Sequence, residues 1–290
     1  MQSPRTTDLP PPPATDQFNL PGGDTADDHD PAALPLHSRP IGLILAAIGW
    51  SLITAALTYL LAKPFLPPMP KVSDATEASN AAVATILIPN IIHSLIASLL
   101  FLAAALVLAW LSGRSQLRAT IRQHRPAPGN AAVAARRGAI RTGLGDRALG
   151  SPAVLAGLAL IVIAYAALLS YLQFRNSDDF FGAVFRAGTG WRLTAFLVLG
   201  LLAPLAEEML FRGWLWTGLR RSWPGFACTL ATGLIWILTH FAEGPVKMAI
   251  LAPVALLLGL ARQSSASWRG PLLLHLALNI ASLVAPFLLR

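Results

Sequence analysis

After some forty residues without hydrophobic periodicity, the chain settles into long apolar runs separated by proline-rich, glycine-rich or basic stretches. Ile41 to Ala62 is the first, closed by Lys63-Pro64 and a proline-rich segment ending at Pro70. A second runs from Ile91 to Leu111, extended on its N-terminal side by Ala81 to Ile88 with Pro89 bending the junction. Pro152 to Phe174, Trp191 to Leu219, Phe226 to Phe241, Val246 to Leu260 and Pro271 to Leu289 follow. About 20 apolar residues cross the hydrocarbon core of a bilayer as a helix, so this pattern predicts an all-α fold, a polytopic transmembrane helix bundle of about seven spans. The stretch from Trp191 to Arg221 would be about 45 Å long as a straight helix, against a core of roughly 30 Å. It must be tilted, broken, or finish in the interface.

Composition sharpens this picture. The chain is 54% hydrophobic and only 12% charged, with a formal charge of +8. The basic residues gather in loops: Arg114, Arg118, Arg122, Arg125, Arg136, Arg137, Arg141 and Arg147 are offset only by Asp146. The positive-inside rule accounts for such a loop as cytoplasmic, with the lipid bilayer as partner and no nucleic acid. Two spans precede it, so the N-terminus is also cytoplasmic. The long polar lead is unlike a secretory signal peptide, and its acidic Asp27-Asp28-His29-Asp30 reads as hydrated tail. Three regions result: 1–40, a disordered cytoplasmic tail; 41–174, N-terminal transmembrane helices with the basic loop; and 175–290, a C-terminal helical core. Within the last, Phe180, Phe181, Val184 and Phe185 recur at helical spacing, as in an amphipathic loop helix. The single cysteine, Cys228, excludes an intrachain disulfide.

The fourth apolar run carries Glu207, Glu208 and Arg212. Ionisable groups at membrane depth are costly, so they pair, face a cavity and serve a function. Glu208 and Arg212 stand at i, i+4, where they neutralise one another and brace the helix. Glu207 and His240 lie about equally far from the turn at Trp223-Pro224, so two antiparallel helices bring them to similar depth. Trp236, one turn before His240, offers an apolar wall. His275 and Asn279 form another i, i+4 pair on one face. His93 has no such neighbour and reads as packing.

Taken in order, these residues resemble the CPBP family of intramembrane proteases, named for CAAX prenyl protein and bacteriocin processing and including the Abi-type proteins. The EExxxR motif is matched by Glu207, Glu208 and Arg212, the FxxxH motif by His240 with Trp236 in place of phenylalanine, and the HxxxN motif by His275 and Asn279. The resemblance spans Trp191 to Pro286. It implies an intramembrane polar active site that hydrolyses peptide bonds of membrane proteins or lipidated peptides, in a bacterial inner membrane. Glu207 would be the base that activates water, His240 would hold that water, and His275 and Asn279 would bind water and the oxyanion. No cofactor is firmly implied. Whether a divalent metal such as zinc takes part is left open; if one does, Glu207, His240 and His275 are its ligands. A non-catalytic scaffold or immunity-type protein and a proton-coupled transporter are the alternative readings. A count of residues from the loops puts His275 nearer the cytoplasmic side than Glu207 and His240, which calls for tilted or broken spans, or for a polar re-entrant stretch from Gln263 to Gly270.

Overall fold

The computed structural model describes residues 40–65, 83–123, 144–145, 152–174, 183–184 and 186–288, all within the unit Leu36–Arg290. The tail and most of the basic loop lie outside the described residues. Among the described residues, seven long helices occupy the seven apolar runs: α1 (Pro40–Ala62), α2 (Val83–Leu87 continuing as Ile88–Gln123), α3 (Pro152–Phe174), α4 (Thr189–Leu219), α5 (Gly225–Leu238), α6 (Pro245–Ser265) and α7 (Arg269–Leu288). Among the described residues there is no strand. Four stretches, Pro40–Phe65, Val83–Arg114, Thr189–Leu219 and Pro245–Ser265, are long and apolar enough to cross a membrane; Pro152–Leu168, Gly225–Leu238 and Arg269–Val284 are apolar but shorter. The chain is a polytopic helical membrane protein. Its outward faces carry exposed Leu45, Leu52, Leu160, Leu230 and Leu234, as lipid contact requires.

Helix α4 is the centre of the bundle, packed by α2, α5 and α7, with α1 against its C-terminal end. Edge-to-face contact between Phe101 and Phe211 (5.8 Å) and a hydrogen bond from Trp214 Nε1 to Ser112 Oγ (3.0 Å) join it to α2. A Cβ on Gly218 would fall 2.6 Å from Leu43 Cδ1, so glycine there lets α1 approach closely. Helix α4 is continuous, but it is not a regular α-helix throughout. Phe196–Leu202 and Met209–Leu215 adopt the wider i→i+5 turn, and the glutamates lie on Ala203–Glu208 between them. The same wide turn at Val83–Leu87 leads into Pro89 of α2, where the missing proline N–H forbids regular pairing with the preceding turn.

Helices α5 and α6 form a tight antiparallel hairpin around Gly244, whose φ of +91° suits glycine. Small residues set their register: a Cβ on Gly259 would meet Thr229 Cγ2 at 2.4 Å, one on Gly233 would meet Ala255 Cβ at 3.4 Å, and one on Gly225 would meet Gln263 at 3.1 Å. The re-entrant stretch expected from Gln263 to Gly270 is absent. Helix α6 runs unbroken to Ser265, a turn at residues 266–268 follows with Ala266 left-handed (φ 51°), and α7 starts at Arg269. Ser265 Oγ donates to the carbonyl of Ser267 (2.7 Å) and accepts from its N–H (3.3 Å), satisfying a turn in which both serines are buried. Helical side chains lean toward the N-terminus of their helix. Trp236 therefore reaches down toward His275.

The segment expected as an amphipathic loop helix is partly described. Ala183, Val184 and Ala187 are buried against Leu87, Ile91, Ala195, Val198 and Leu283, so Val184 is a packing residue; Phe180, Phe181 and Phe185 lie outside the described residues.

Candidate active site

The motif residues converge on one indole. Trp236 Nε1 donates to Glu207 Oε2 at 2.5 Å, joining α5 to α4. The same ring has the His240 imidazole edge-on at 5.1 Å and the His275 imidazole edge-on at 5.5 Å between centroids. The Arg212 guanidinium sits 5.0 Å from its centroid as a cation–π contact. Trp236 is thus more than the apolar wall expected from the sequence: it is 1% exposed and contacts residues of all three motifs.

Glu208, Arg212 and His275 form a buried polar triad beside it. Arg212 Nη1 donates to Glu208 Oε1 at 3.1 Å, the expected i, i+4 pair, with both side chains fully excluded from solvent. His275 Nδ1 lies 2.8 Å from the same oxygen, a contact the sequence did not suggest. Paired with Arg212, Glu208 accepts, so His275 donates from Nδ1 and its neutral tautomer keeps Nε2 as the acceptor. Glu208 Oε2 and Arg212 Nε are buried and find no hydrogen-bond partner among the described residues.

His240 follows the last turn of α5. Its Nδ1 lies between the carbonyl of Trp236 (3.1 Å) and the hydroxyl of Thr239 (3.2 Å), while Nε2 is 4.0 Å from the exposed carboxylate of Glu243. No direct hydrogen bond joins His240 to Glu207; they meet through Trp236. Asn279 lies one turn beyond His275 on α7, and its Nδ2 donates to the carbonyl of Leu199 at 2.8 Å, within the first wide-turn segment of α4. Among the described residues no group of three His, Cys, Asp or Glu side chains is placed to hold a metal ion, and Glu207, His240 and His275 do not form such a set. Instead Glu207 Oε2 is turned to Trp236, His275 Nδ1 to Glu208 and His240 Nδ1 to the backbone.

One functional candidate was missed. Arg262 of α6 is 2% exposed and donates from Nε to the carbonyl of Arg212 at 2.8 Å, with its guanidinium 4.3 Å from the Trp216 ring centroid. The signal was present in the sequence as an arginine in the last turn of an apolar helix. The positive-inside rule accounts for such a residue without burying it, which hid its role.

All of these residues fall inside residues 189–281, which match the family model for Rce1-like type II CAAX prenyl endopeptidases. The segment is CAAX protease-like. The match spans helices α4 to α7, about a third of the chain, and bears out the resemblance drawn from the three motifs. No curated protein sequence and no solved structure matches the chain. The apolar helices and this similarity to a membrane protease family support an integral membrane protein.

Proposed function

We propose that the chain is an intramembrane endopeptidase that hydrolyses peptide bonds in membrane-associated or lipid-modified substrates. The observation that carries this reading is the convergence of Glu207 from α4, His240 from just past the end of α5 and His275 from α7 on the Trp236 ring. Glu207 is the base: the indole N–H occupies Oε2 and thereby directs Oε1 toward a water. His240 and His275 each commit Nδ1 to a fixed acceptor, so both present Nε2 as the nitrogen able to hold that water or accept its proton. After attack, the proton taken by Glu207 passes to the leaving amine. Asn279 has two amide hydrogens, and only one is used on Leu199; the other serves the oxyanion. Glu208 and Arg212 orient His275 and touch no substrate. The similarity to CAAX prenyl endopeptidases favours a prenylated C-terminal peptide as substrate; the reading sets the chain in a bacterial inner membrane, with the N-terminus in the cytoplasm on the ground of the arginines between Arg114 and Arg147.

The test is cleavage of an internally quenched farnesylated CAAX peptide by the full chain in proteoliposomes, alongside new protein termini in the membrane proteome of cells. Glu207→Gln preserves shape and removes the base, so cleavage should fall by about 10²-fold or more while the fold is kept. If the intact chain and Glu207→Gln gave the same peptide turnover and the same termini, the enzyme reading would give way to that of a scaffold.

A further inference from the structure

Arg262 joins three parts of the chain that are far apart in sequence. Its Nε holds the carbonyl of Arg212 at 2.8 Å, and its Nη2 reaches both Thr217 Oγ1 (3.2 Å) and the carbonyl of Gly145 (3.3 Å). Gly145 belongs to the basic loop between α2 and α3, outside the CAAX protease-like segment. The approach is built for that purpose. Gly145 has φ +59°, and a Cβ there would lie 2.5 Å from Thr217 Oγ1 and 2.6 Å from Arg262 Nη2. Leu144 is buried, and a Cβ on Gly213 would lie 2.8 Å from Leu144 Cδ2. The loop segment therefore sits in a notch that only two glycines permit, on the wide-turn stretch Met209–Leu215.

The point of attachment matters. The residue whose carbonyl Arg262 holds is the residue whose side chain holds Glu208, and Glu208 in turn holds His275. A wide turn lacks the regular ladder that would fix Arg212 by itself. Arg212 Nη2 also reaches the carbonyl of Ala255 on α6 at 3.5 Å, two turns before Arg262, so α6 grips Arg212 by backbone and side chain together.

We propose that Arg262 is a positioning residue for the candidate active site: it clamps the Arg212 carbonyl on one edge and the docked Leu144–Gly145 segment on the other, and the Glu208–His275 contact depends on that clamp. It touches no substrate and acts through Arg212. A planar guanidinium serves several acceptors at once, whereas a lysine ammonium on the same stem reaches fewer of them in fixed geometry. The inference rests on the protease reading for its consequence in turnover, but its geometric content stands apart.

The experiment uses the full chain in phospholipid nanodiscs with ¹⁵N-labelled histidine, the His275 signals being assigned with His275→Gln. Arg262→Met and Arg262→Lys are compared with the intact chain for the His275 Nδ1 resonance, thermal unfolding, and turnover of the farnesylated quenched peptide. The expected result is displacement of the Nδ1 resonance from its hydrogen-bonded position in both variants. With it, kcat should fall about tenfold or more and KM should stay within about twofold, the pattern of lost orientation rather than lost substrate binding. Should Arg262→Met fail to fold, Arg262→Lys, which keeps the charge and the stem, decides alone. An unmoved His275 resonance in a folded variant overturns the proposal. A displaced resonance in a chain that cleaves no peptide upholds the clamp and removes only the protease reading.

Discussion

The imidazole of His275 meets the carboxylate of Glu208 at 2.8 Å, on the same oxygen that accepts from Arg212. Adjacent glutamates thus do different work. Glu207 turns to Trp236 on α5, and Glu208 turns to His275 on α7.

Glu208→Ala should accordingly be among the most damaging single changes at the site. It leaves the fully buried Arg212 without its carboxylate, a defect worth about 3–5 kcal/mol. Thermal unfolding of the purified chain in detergent is the measurement, and turnover should vanish with it because His275 loses its anchor. Arg212→Ala in the Glu208→Ala background should then cost little more, since the pair has already been broken.

Trp236→Phe separates the ring from its N–H. The family motif ordinarily has phenylalanine at this position, so the aromatic contacts with His240 and His275 survive while the hydrogen bond to Glu207 is lost. Turnover should fall roughly tenfold, equivalent to about 1.4 kcal/mol, with the fold intact. Trp236→Ala removes the ring as well and should cost about 3–5 kcal/mol of stability. Equal turnover by Trp236→Phe and the parent would mean that the indole N–H does not direct Glu207.

Asn279→Leu should cost about 1–3 kcal/mol, because the Leu199 carbonyl is left without its donor in a helix segment that lacks regular pairing. Chemical denaturation followed by tryptophan fluorescence measures this. Turnover should fall further than stability alone explains if the second amide hydrogen serves the oxyanion.

Gly259→Leu tests the hairpin that presents Trp236. Its Cβ would lie 2.4 Å from Thr229 Cγ2, forcing α5 away from α6 at a cost of about 1–3 kcal/mol. Thr229→Ala in the same chain removes the obstructing methyl and should restore part of both stability and turnover. Two changes that simply added would count against a close α5–α6 contact at this pair.

These residues also show what the sequence could and could not convey. The helices were legible because a membrane demands long apolar runs: Pro152–Phe174 was expected with those same ends, and α1 begins one residue before its expected start. The pairing of Glu208 with Arg212 followed from helical spacing alone. The partner of His275 did not follow, because it depends on how two helices rotate against one another. Side-chain direction misled as well. Counting Cα rise suggested a re-entrant stretch as one way to bring His275 to the site, whereas the Trp236 indole meets the His275 ring without one. Arg262 was readable only as a charge near a helix end, since nothing local records that its acceptors lie 50 and 117 residues earlier in the chain.

The wide-turn stretch Met209–Leu215 holds, in effect, one residue more than a regular helix needs over the same rise. Removing a single residue there would let ordinary pairing resume over the same rise, because the wide turn takes up its extra residue by local unwinding. Thr217 and Gly218 would keep their approach to Arg262 and Leu43, and what would change is the backbone inside the stretch, with the Arg212 carbonyl that Arg262 holds. One-residue gaps in relatives aligned across this stretch would therefore mark chains that keep the surrounding bundle but carry a regular helix where this chain has a loosened one.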